Sequence, residues 1–542
     1  MRKLPTLPTS GGRGKILSCL GLGLLAGMMA IAIPAPSRGA EQIRFQFGLW
    51  GRSVLRQDLE TFAETGEPVG SVRSLLNRFP PETQAQIQAA LTARYEVDPV
   101  LASRFAYTSS GRQLLTEAGE LIQTPSGHNG LYALRAALVL AAADPEGLSI
   151  LNFLRQFPTD ARIDVARALQ RAGELADYLQ ETQAQMATLA AETAAIAATE
   201  PPLDFPIDPS QPGEFAVSTQ TLQLHDAQRD RTFAVDLYTP AAPSQEPLPP
   251  SPVIVVSNGL GARRDRFDEV AIHLASHGFA VAMPDHPGSD RQRLQEFYQG
   301  LHVENFDAAE YVDRPRDITF LLDELERRNS EAFGDRLDTS RAGIFGYSFG
   351  GTTALALGGA RIDLAHLQED CATRSAIFNI SLLYQCRALA LAETGGDLSL
   401  SLKDDRIRAV FVFVPFGRSL YGPEGLSRVE VPVFWEATNQ DILTPLVIEQ
   451  LPAFNWLTVP DRYLAVADGL PHARLTLDVL NRLTNQAIAW EDIQPTAERY
   501  HQVLSLIFFQ VYVANNDAYR PYLSATYAQT FADEAFPLRW AR

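Results

Sequence analysis

Apolar residues in the first third of the chain recur at helical spacing. Between positions 53 and 198 they return every three or four residues, and almost no stretch alternates apolar with polar positions. This period places the apolar side chains on one face of a helix. Prolines at Pro81 and Pro99 interrupt the pattern and predict helix boundaries. Residues 40–200 are therefore predicted to form an all-helical N-terminal domain.

The helical pattern ends in a proline-rich stretch. Residues 201–216 contain five prolines, which block helix continuation and favour an extended linker. Two alternating segments follow at 219–225 and 232–238, and the polar residues between them predict a hairpin loop. A second, strand-containing domain is predicted over residues 217–542.

Three later runs, at 253–256, 280–283 and 409–414, are continuously apolar, and helical stretches separate them. Continuous apolar strands are typical of a parallel sheet that is covered on both faces. Alternation of strands and helices predicts a doubly wound, mostly parallel sheet, with reactive groups at the carboxyl ends of its strands. The predicted fold class is therefore α/β for the second domain.

A candidate nucleophile lies in the segment Gly346-Tyr347-Ser348-Phe349-Gly350, which follows a short apolar strand and precedes a helical run. In that context G-x-S-x-G is typical of a nucleophile elbow, where the serine occupies a strained strand-to-helix turn. The flanking glycines let neighbouring backbone pass closely. Ser348 is the predicted nucleophile, and the amide of Phe349 is one predicted donor to an oxyanion.

A serine hydroxyl needs an adjacent base, which in this arrangement follows the acid along the chain. His472 lies on a loop after an apolar strand at 463–466, from which it could reach the elbow. His501 lies in a helical segment and is the weaker candidate. We therefore predict that His472 is the general base.

The predicted acid is Asp441, in the loop behind a strand at 432–437. Its carboxylate would accept a hydrogen bond from the far ring nitrogen of His472 and fix the tautomer. Glu436 and Asp468 remain alternatives. Glu436 lies within the strand, and Asp468 is close to His472 in the same loop.

A second oxyanion donor is predicted in the loop 257–261, Ser-Asn-Gly-Leu-Gly, which follows the first continuous apolar strand. Its glycines allow the backbone to turn inward, so the amide of Leu260 is the candidate. The third glycine and the acidic residue of a dinucleotide site are missing. His273 and His277 have a spacing that zinc could use, but no third ligand is near them in sequence. Neither a cofactor nor a metal is predicted.

Residues 361–408 separate the nucleophile helix from the next strand and are predicted to form a cap over the site. An apolar cap would favour apolar esters and could move during turnover. The alternative is that this segment only extends the helix and loop of the fold. It contains Cys371 and Cys386, which are predicted to form a disulfide in an oxidising compartment, with two buried thiols as the alternative.

The N-terminus carries a pattern of export. Four basic residues precede an uncharged apolar run of 18 residues at 16–33, and small residues follow. Residues 1–39 are therefore predicted to be a signal peptide, and the mature protein is expected in the periplasm or outside the cell. Because a membrane span needs about 20 apolar residues, an uncleaved N-terminal anchor is the alternative.

The net charge of the protein makes one class of partner, nucleic acid, unfavourable. Removal of residues 1–39 takes away five positive charges and moves the formal charge from −18 to −23. Such an acidic protein repels phosphate backbones, so nucleic acid is not a predicted partner.

Three segments, at 255–261, 274–289 and 346–351, resemble the α/β-hydrolase superfamily, and more narrowly its platelet-activating-factor acetylhydrolase-like and dienelactone-hydrolase-related branch. The resemblance covers about 217–542, and the preceding half is similar to an uncharacterised domain attached to such hydrolases in bacteria. Two positions depart from the branch. Asn258 stands where a histidine is usual, and Ser348 replaces the cysteine of dienelactone hydrolases proper, so lactone specificity does not transfer.

Together these observations predict a serine hydrolase that cleaves lipid or other apolar acyl esters through an acyl-enzyme on Ser348. The same triad could transfer the acyl group to an alcohol if the cap excludes water. A third hypothesis is a catalytically silent envelope protein whose helical half binds a partner. Labelling by a serine-directed fluorophosphonate would separate the silent protein from the enzymes.

Overall fold

The computed structural model describes residues 39–241, 249–393, 395, 398, 400–484 and 487–542. The predicted export signal, apart from its last residue, lies outside the described residues. Within these described ranges, no helix is both long and apolar enough to cross a membrane.

The chain divides into two compact units. The first contains the described residues up to Glu96 together with Gln123–His128 and Tyr132–Ile163. The second contains Val97–Ile122, Asn129–Leu131 and the described residues from Asp164 onward. This division differs from the predicted domains, because the second unit also contains helices that precede the proline-rich linker.

Helices make up most of the N-terminal part. In chain order they are α1 (Arg56–Thr65), α2 (Gly70–Leu76), α3 (Pro81–Thr92), α4 (Pro99–Tyr107), α5 (Ser109–Leu121), α6 (Leu131–Ala143), α7 (Ile150–Gln156) and α8 (Val165–Thr199). Pro81 and Pro99 each occupy the first turn of a helix, as predicted, because a first-turn proline loses no intrahelical hydrogen bond.

The prediction of an all-helical N-terminal domain is wrong. Among the described residues, β1 (Gln42–Phe47), β2 (Trp50–Leu55), β3 (Ile122–Gln123) and β4 (Ala161–Asp164) form a four-stranded sheet in the order β2-β1-β4-β3. Two of these strands are only two and four residues long, which is too short for a visible alternation of apolar and polar positions. The other two lie largely before the stretch with helical spacing.

The second unit is built on a larger sheet. Its strands are β5 (Ala216–Asp226), β6 (Arg231–Ala241), β7 (Ser251–Ser257), β8 (Ala280–Pro284), β9 (Leu337–Tyr347), β10 (Ile407–Phe413), β11 (Val433–Gln440), β12 (Arg462–Pro471) and β13 (Leu538–Ala541). Its later helices are α9 (Asp268–Ser276), α10 (Arg291–Gln299), α11 (Glu310–Phe333), α12 (Phe349–Leu357), α13 (Leu364–Thr373), α14 (Ile380–Gln385), α15 (Leu389–Glu393), α16 (Arg418–Leu426), α17 (Leu451–Asn455), α18 (Arg474–Thr484), α19 (Trp490–Tyr512) and α20 (Ala525–Phe531).

In the described part of the chain this sheet has nine strands in the order β13-β12-β11-β10-β9-β7-β8-β6-β5. Strands β12, β11, β10, β9, β7 and β8 pair in parallel, whereas β13 on one side and β6 and β5 on the other pair antiparallel. The predicted mostly parallel α/β sheet is confirmed. The three continuous apolar runs lie in β7, β8 and β10, and the predicted hairpin is β5–β6.

Helices cover both faces of the sheet. On one face Val253 and Val255 of β7 pack in a core with Ile318 of α11, and on the other face Ile254 packs in a core with Leu274 of α9. Burial on both faces explains why these strands have no polar alternation. The carboxyl ends of the parallel strands consequently meet at one edge, where ligands bind in open α/β sheets.

The proline-rich linker is docked on the second unit by two histidines of the α9 region. Nε2 of His273 donates to the carbonyl oxygen of Pro209 at 2.9 Å, and Nε2 of His277 donates to that of Gln211 at 3.0 Å. Throughout the described ranges no cluster of three metal-binding side chains occurs. The two histidines bind the backbone of the linker through these hydrogen bonds.

The insertion between α12 and β10 folds into α13, α14, a 3₁₀ helix (Cys386–Ala388) and α15. A disulfide joins Cys371 to Cys386, as predicted. The amide of Ser381 donates to the carbonyl oxygen of Leu443 at 2.9 Å. The insertion therefore rests on the loop that follows β11.

Candidate active site

Ser348 lies between the end of β9 and the first residue of α12, with φ 53° and ψ −115°. A positive φ is costly for a residue with a Cβ and is typical of a nucleophile elbow. The amide of Ser348 donates to the carbonyl oxygen of Phe413 at 2.9 Å, which ties the turn to the end of β10. The strained turn places the serine at the carboxyl edge of the sheet.

The two motif glycines are required by close backbone contacts. A Cβ on Gly350 would lie 1.8 Å from the carbonyl oxygen of Ser257, and a Cβ on Gly346 would lie 2.3 Å from the carbonyl oxygen of Gly350. Both distances are far below van der Waals contact. The elbow therefore packs directly against the loop after β7, and no larger residue fits at either position.

Asp441 and His472 form a buried pair. Nδ1 of His472 lies 2.6 Å from Oδ2 of Asp441, and both residues are less than 5% exposed. Asp441 follows β11 and His472 follows β12, so two adjacent parallel strands deliver them to the same edge. The structure thus brings together the predicted acid and the predicted base.

The carboxylate of Asp441 accepts three further hydrogen bonds. Oδ1 accepts from the amides of Leu443 at 2.8 Å and Thr444 at 2.9 Å, and Oδ2 accepts from the hydroxyl of Thr444 at 2.5 Å. Burial alone would raise the pKa of Asp441, but the charge of His472 and these hydrogen bonds outweigh burial and hold it below its usual value. Asp441 is therefore ionised at neutral pH. Sequence reasoning missed Thr444.

Tyr347, the residue before Ser348, places His472 beside the elbow. Its hydroxyl donates to the carbonyl oxygen of His472 at 3.2 Å, and the centroids of the two rings are 5.4 Å apart. With Nδ1 engaged by Asp441, Nε2 of His472 is the ring nitrogen that remains for a further partner.

The predicted oxyanion loop lies against the elbow. A Cβ on Gly259 would lie 3.3 Å from Cβ of Ser348, so the backbone that leads into Leu260 passes beside the nucleophile. Phe349 is the first residue of α12, and the amide of a first-turn residue has no acceptor within its helix. The two predicted donors, Leu260 and Phe349, thus lie on segments that flank Ser348.

The rejected candidates have other partners. Nδ1 of His501 lies 3.0 Å from Oε2 of Glu436, and both residues are buried. Asp468 accepts from Nδ2 of Asn439 at 2.7 Å and pairs with Arg539 at 3.2 Å. His501 and Glu436, the less favoured candidates for the base and the acid, therefore bind each other and not the elbow.

Aromatic side chains surround Phe349. Its ring centroid lies 5.4 Å from that of Phe306, 5.0 Å from Tyr311 and 5.3 Å from Phe416. Tyr384 of the insertion extends this group, with centroids 6.0 Å from Phe306 and 6.3 Å from Phe416. The insertion therefore contributes Tyr384 to a largely buried aromatic cluster around Phe349.

A cavity of about 380 Å³ lies beside the insertion and is lined in part by Tyr178, Phe378, Leu382 and Ile448. Burial raises the pKa of Tyr178, and the nearby charge of Asp441 adds to this rise. Helix α8, which carries Tyr178, thus lines this cavity together with the insertion. Sequence reasoning missed this residue because it assigned α8 to the N-terminal domain.

Comparisons with known proteins find similarity to two families. Residues 39–164 match a family described as alpha/beta hydrolase of unknown function (DUF1400). Residues 232–305 match the family of platelet-activating factor acetylhydrolase, isoform II. The resemblance predicted from the sequence is confirmed. The second match includes the loop with Leu260 and ends before Ser348.

Individual relatives show the same similarity. Platelet-activating factor acetylhydrolase of Cavia porcellus is 29% identical over 142 residues, and that of Canis lupus familiaris is 31% identical over 139 residues. The enzyme of Bos taurus is 28% identical over 144 residues. Each match covers 19% of this chain and 31% of the relative, so the chain spans about a third of the length of these relatives.

Proposed function

We propose that this protein is an exported serine hydrolase that cleaves carboxylic esters through an acyl-enzyme on Ser348. The observation that carries the proposal is the buried pair of Asp441 and His472, with 2.6 Å between Oδ2 and Nδ1, beside a serine in a strained elbow. The distant relation to platelet-activating factor acetylhydrolases supports serine esterase activity. The site residues and the substrate are part of the proposal.

In the first half-reaction, Oγ of Ser348 attacks the ester carbonyl carbon while its proton moves to Nε2 of His472. Asp441 stays ionised and stabilises the imidazolium. The carbonyl oxygen takes up the electron pair and accepts hydrogen bonds from the amides of Leu260 and Phe349. When the tetrahedral intermediate collapses, the alcohol leaves with the proton from Nε2, and the acyl group remains on Ser348.

The second half-reaction repeats these steps with water. His472 removes a proton from water as its oxygen attacks the acyl carbon, and the same two amides hold the oxyanion. Collapse releases the carboxylic acid, and Oγ of Ser348 regains the proton from Nε2. The ester and water together supply all the atoms of the two products, the alcohol and the carboxylic acid.

An apolar acyl group is the proposed substrate class. The distant relation to platelet-activating factor acetylhydrolases supports this class, and the largely buried aromatic cluster of Phe306, Tyr311, Phe416 and Tyr384 makes the surroundings of Phe349 apolar. The Cys371–Cys386 disulfide supports export, because disulfides persist mainly in oxidising compartments.

The test is hydrolysis of a chain-length series of p-nitrophenyl esters by the wild type and by Ser348→Ala, His472→Ala and Asp441→Ala. We expect hydrolysis by the wild type, a preference for apolar acyl chains, and loss of hydrolysis in each variant. Ser505→Ala, which changes a buried serine of α19, is the matched control and should hydrolyse like the wild type. Equal rates in the wild type and Ser348→Ala would refute the proposal.

A further inference from the structure

A buried arginine lies behind the proposed oxyanion site. Arg314 is on the first turns of α11 and is 1% exposed. Burial lowers the pKa of Arg314 to about 10, so its guanidinium still carries a positive charge at neutral pH. A buried charge is costly unless it is fully paired. The groups that pair with the guanidinium of Arg314 lie on the proposed oxyanion loop and on α11.

One end of the guanidinium holds the oxyanion loop directly. Its Nη1 donates to the carbonyl oxygen of Asn258 at 2.6 Å, two residues before Leu260. The side chain of Asn258 is anchored separately, because its Nδ2 donates to the carbonyl oxygen of Arg264 at 2.8 Å. The start of the loop is therefore fixed by both its backbone and its side chain.

The guanidinium also reaches the far side of Leu260 through Ser289. Nε of Arg314 donates to Oγ of Ser289 at 2.7 Å, and that hydroxyl donates to Oε2 of Glu310 at 2.5 Å. The carbonyl oxygen of Ser289 accepts the amide of Gly261 at 2.8 Å. The residues on both sides of Leu260 are thus tied to one side chain.

The same side chain touches the other proposed donor. The guanidinium carbon of Arg314 lies 4.2 Å from the ring centroid of Phe349, the distance of a cation–π contact. One buried cation therefore contacts both halves of the oxyanion site, which come from distant parts of the chain. Its charge is balanced by Glu310, whose Oε2 lies 3.6 Å from Nε of Arg314.

We propose that Arg314 is a positioning residue that holds the amides of Leu260 and Phe349 in the geometry that binds the transition-state oxyanion. The proposal rests on the proposed ester hydrolysis. Arg314 does not touch the substrate; it acts through the loop and through the ring of Phe349. Its loss should therefore weaken transition-state binding and leave ground-state binding of the ester nearly unchanged.

The test compares Arg314→Met and Arg314→Lys with the wild type, using p-nitrophenyl butyrate and a trifluoromethyl ketone with the same acyl chain. For Arg314→Met we expect kcat to fall by roughly 10- to 100-fold, with KM within about threefold, because a lost oxyanion donor costs about 100-fold or more. Inhibition by the ketone, which forms a tetrahedral adduct on serine, should weaken by a similar factor. Arg314→Lys keeps the charge but not the fork of donors, and should recover only part of the loss.

Two controls separate positioning from a general loss of structure. Arg406→Met removes an arginine before β10, at the opposite end of the strand from the site, where its Nη2 bonds to Asp404. This variant should keep the kcat and the ketone affinity of its folded fraction, which active-site titration measures. If Arg314→Met does not fold, Ser289→Ala removes the bridge alone and should weaken ketone binding by about 3- to 10-fold, a smaller loss than that of a whole donor.

Unchanged ketone affinity in the folded fraction of both Arg314→Met and Ser289→Ala would overturn the role of Arg314. That result would leave the proposed hydrolysis intact as long as Ser348→Ala is inactive. Equal activity of Ser348→Ala and the wild type would instead overturn the hydrolysis, and the inference with it.

Discussion

Oδ2 of Asp441 and Nδ1 of His472 are 2.6 Å apart, in a site where both side chains are almost fully buried. Their strands, β11 and β12, are neighbours in the parallel sheet, so the carboxyl ends of the two strands hold the residues side by side. This hydrogen bond fixes the tautomer of the imidazole. The alternative candidates, His501, Glu436 and Asp468, do not take part in it.

Asp441→Asn should abolish most of the activity without unfolding the protein. The amide keeps the shape of the carboxylate but cannot stabilise an imidazolium, so kcat should fall by roughly 10³- to 10⁴-fold. Steady-state hydrolysis of a p-nitrophenyl ester, alongside circular dichroism of the folded state, measures this.

The matched control is Glu436→Gln, which changes the acid that binds His501. We expect kcat within a few-fold of the wild type and a loss of about 1–3 kcal/mol in the free energy of unfolding, the usual cost of disturbing a buried charged hydrogen bond. A larger loss of kcat in Glu436→Gln than in Asp441→Asn would show that Glu436, and not Asp441, is the acid of the site.

Gly350→Ala should lower the rate of hydrolysis by about 100-fold or more. The added Cβ would lie 1.8 Å from the carbonyl oxygen of Ser257, so the elbow or the oxyanion loop must move. A displacement of about 1 Å near the reacting atoms can cost about 100-fold in rate. The rate constant of ester hydrolysis per folded molecule is the measurement.

Gly173→Ala is its control. Gly173 lies within α8, and a Cβ there would meet no atom within 4 Å. Alanine should raise the free energy of unfolding by up to about 1 kcal/mol through helix propensity and leave kcat unchanged. Similar losses of activity in both glycine variants would mean that the close contact at Gly350 is not the cause.

Removal of the disulfide by the double change Cys371→Ser and Cys386→Ser should destabilise the insertion. The bridge closes a loop of 15 residues, which corresponds to about 3 kcal/mol in the chain-entropy account. In the double variant we expect hydrogen exchange in α13 and α14 to be faster than in the oxidised wild type, with a smaller change in the strands of the sheet. Equal exchange in the oxidised wild type and the double variant would show that the bridge does not stabilise this segment.

Asp290→Asn should stabilise the protein at neutral pH more than at acidic pH. Burial raises the pKa of Asp290 to about 6, although the amide of Arg293, 2.8 Å away, lowers it. A carboxyl with a raised pKa contributes stability that is complete below its unfolded pKa and is lost as pH rises through its folded value. The asparagine keeps the helix N-cap and cannot ionise.

After a discount for partial exposure, we expect the variant to gain about 1 kcal/mol over the wild type between about pH 4.5 and about pH 7.5. Urea unfolding of both proteins at the two pH values gives the difference. Asp98→Asn, which replaces the N-cap carboxylate of α4, controls for the change of a cap. An equal effect of Asp290→Asn at both pH values would contradict the expectation.

The sequence was sufficient to predict the parallel sheet, because strands buried on both faces leave an uninterrupted apolar run, as in β7 and β10. It was insufficient for the small sheet of β1 to β4. Strands of two and four residues have no measurable period, and β4 pairs with β1, which lies more than a hundred positions before it in the chain.

Some residues of the candidate site could likewise be predicted from the sequence, and others could not. Ser348, Asp441 and His472 follow strands at recognisable loops, so chain order and motif were enough to propose them. Arg314 and Tyr178 lie on helices without any motif. Their relation to the site depends on how α11 and α8 pack, and only the fold reveals it.

The central claim, that the environment of Ser348 makes it a nucleophile, is tested most directly by covalent labelling with a fluorophosphonate. The tryptic peptide of residues 342–361 contains Ser348 as its one serine, so mass spectrometry of that peptide locates the label. We predict one label per chain on this peptide in the folded wild type, strongly reduced labelling in His472→Ala, and none in Ser348→Ala. Equal labelling of Ser348→Ala, or no labelling of the folded wild type, would contradict the account.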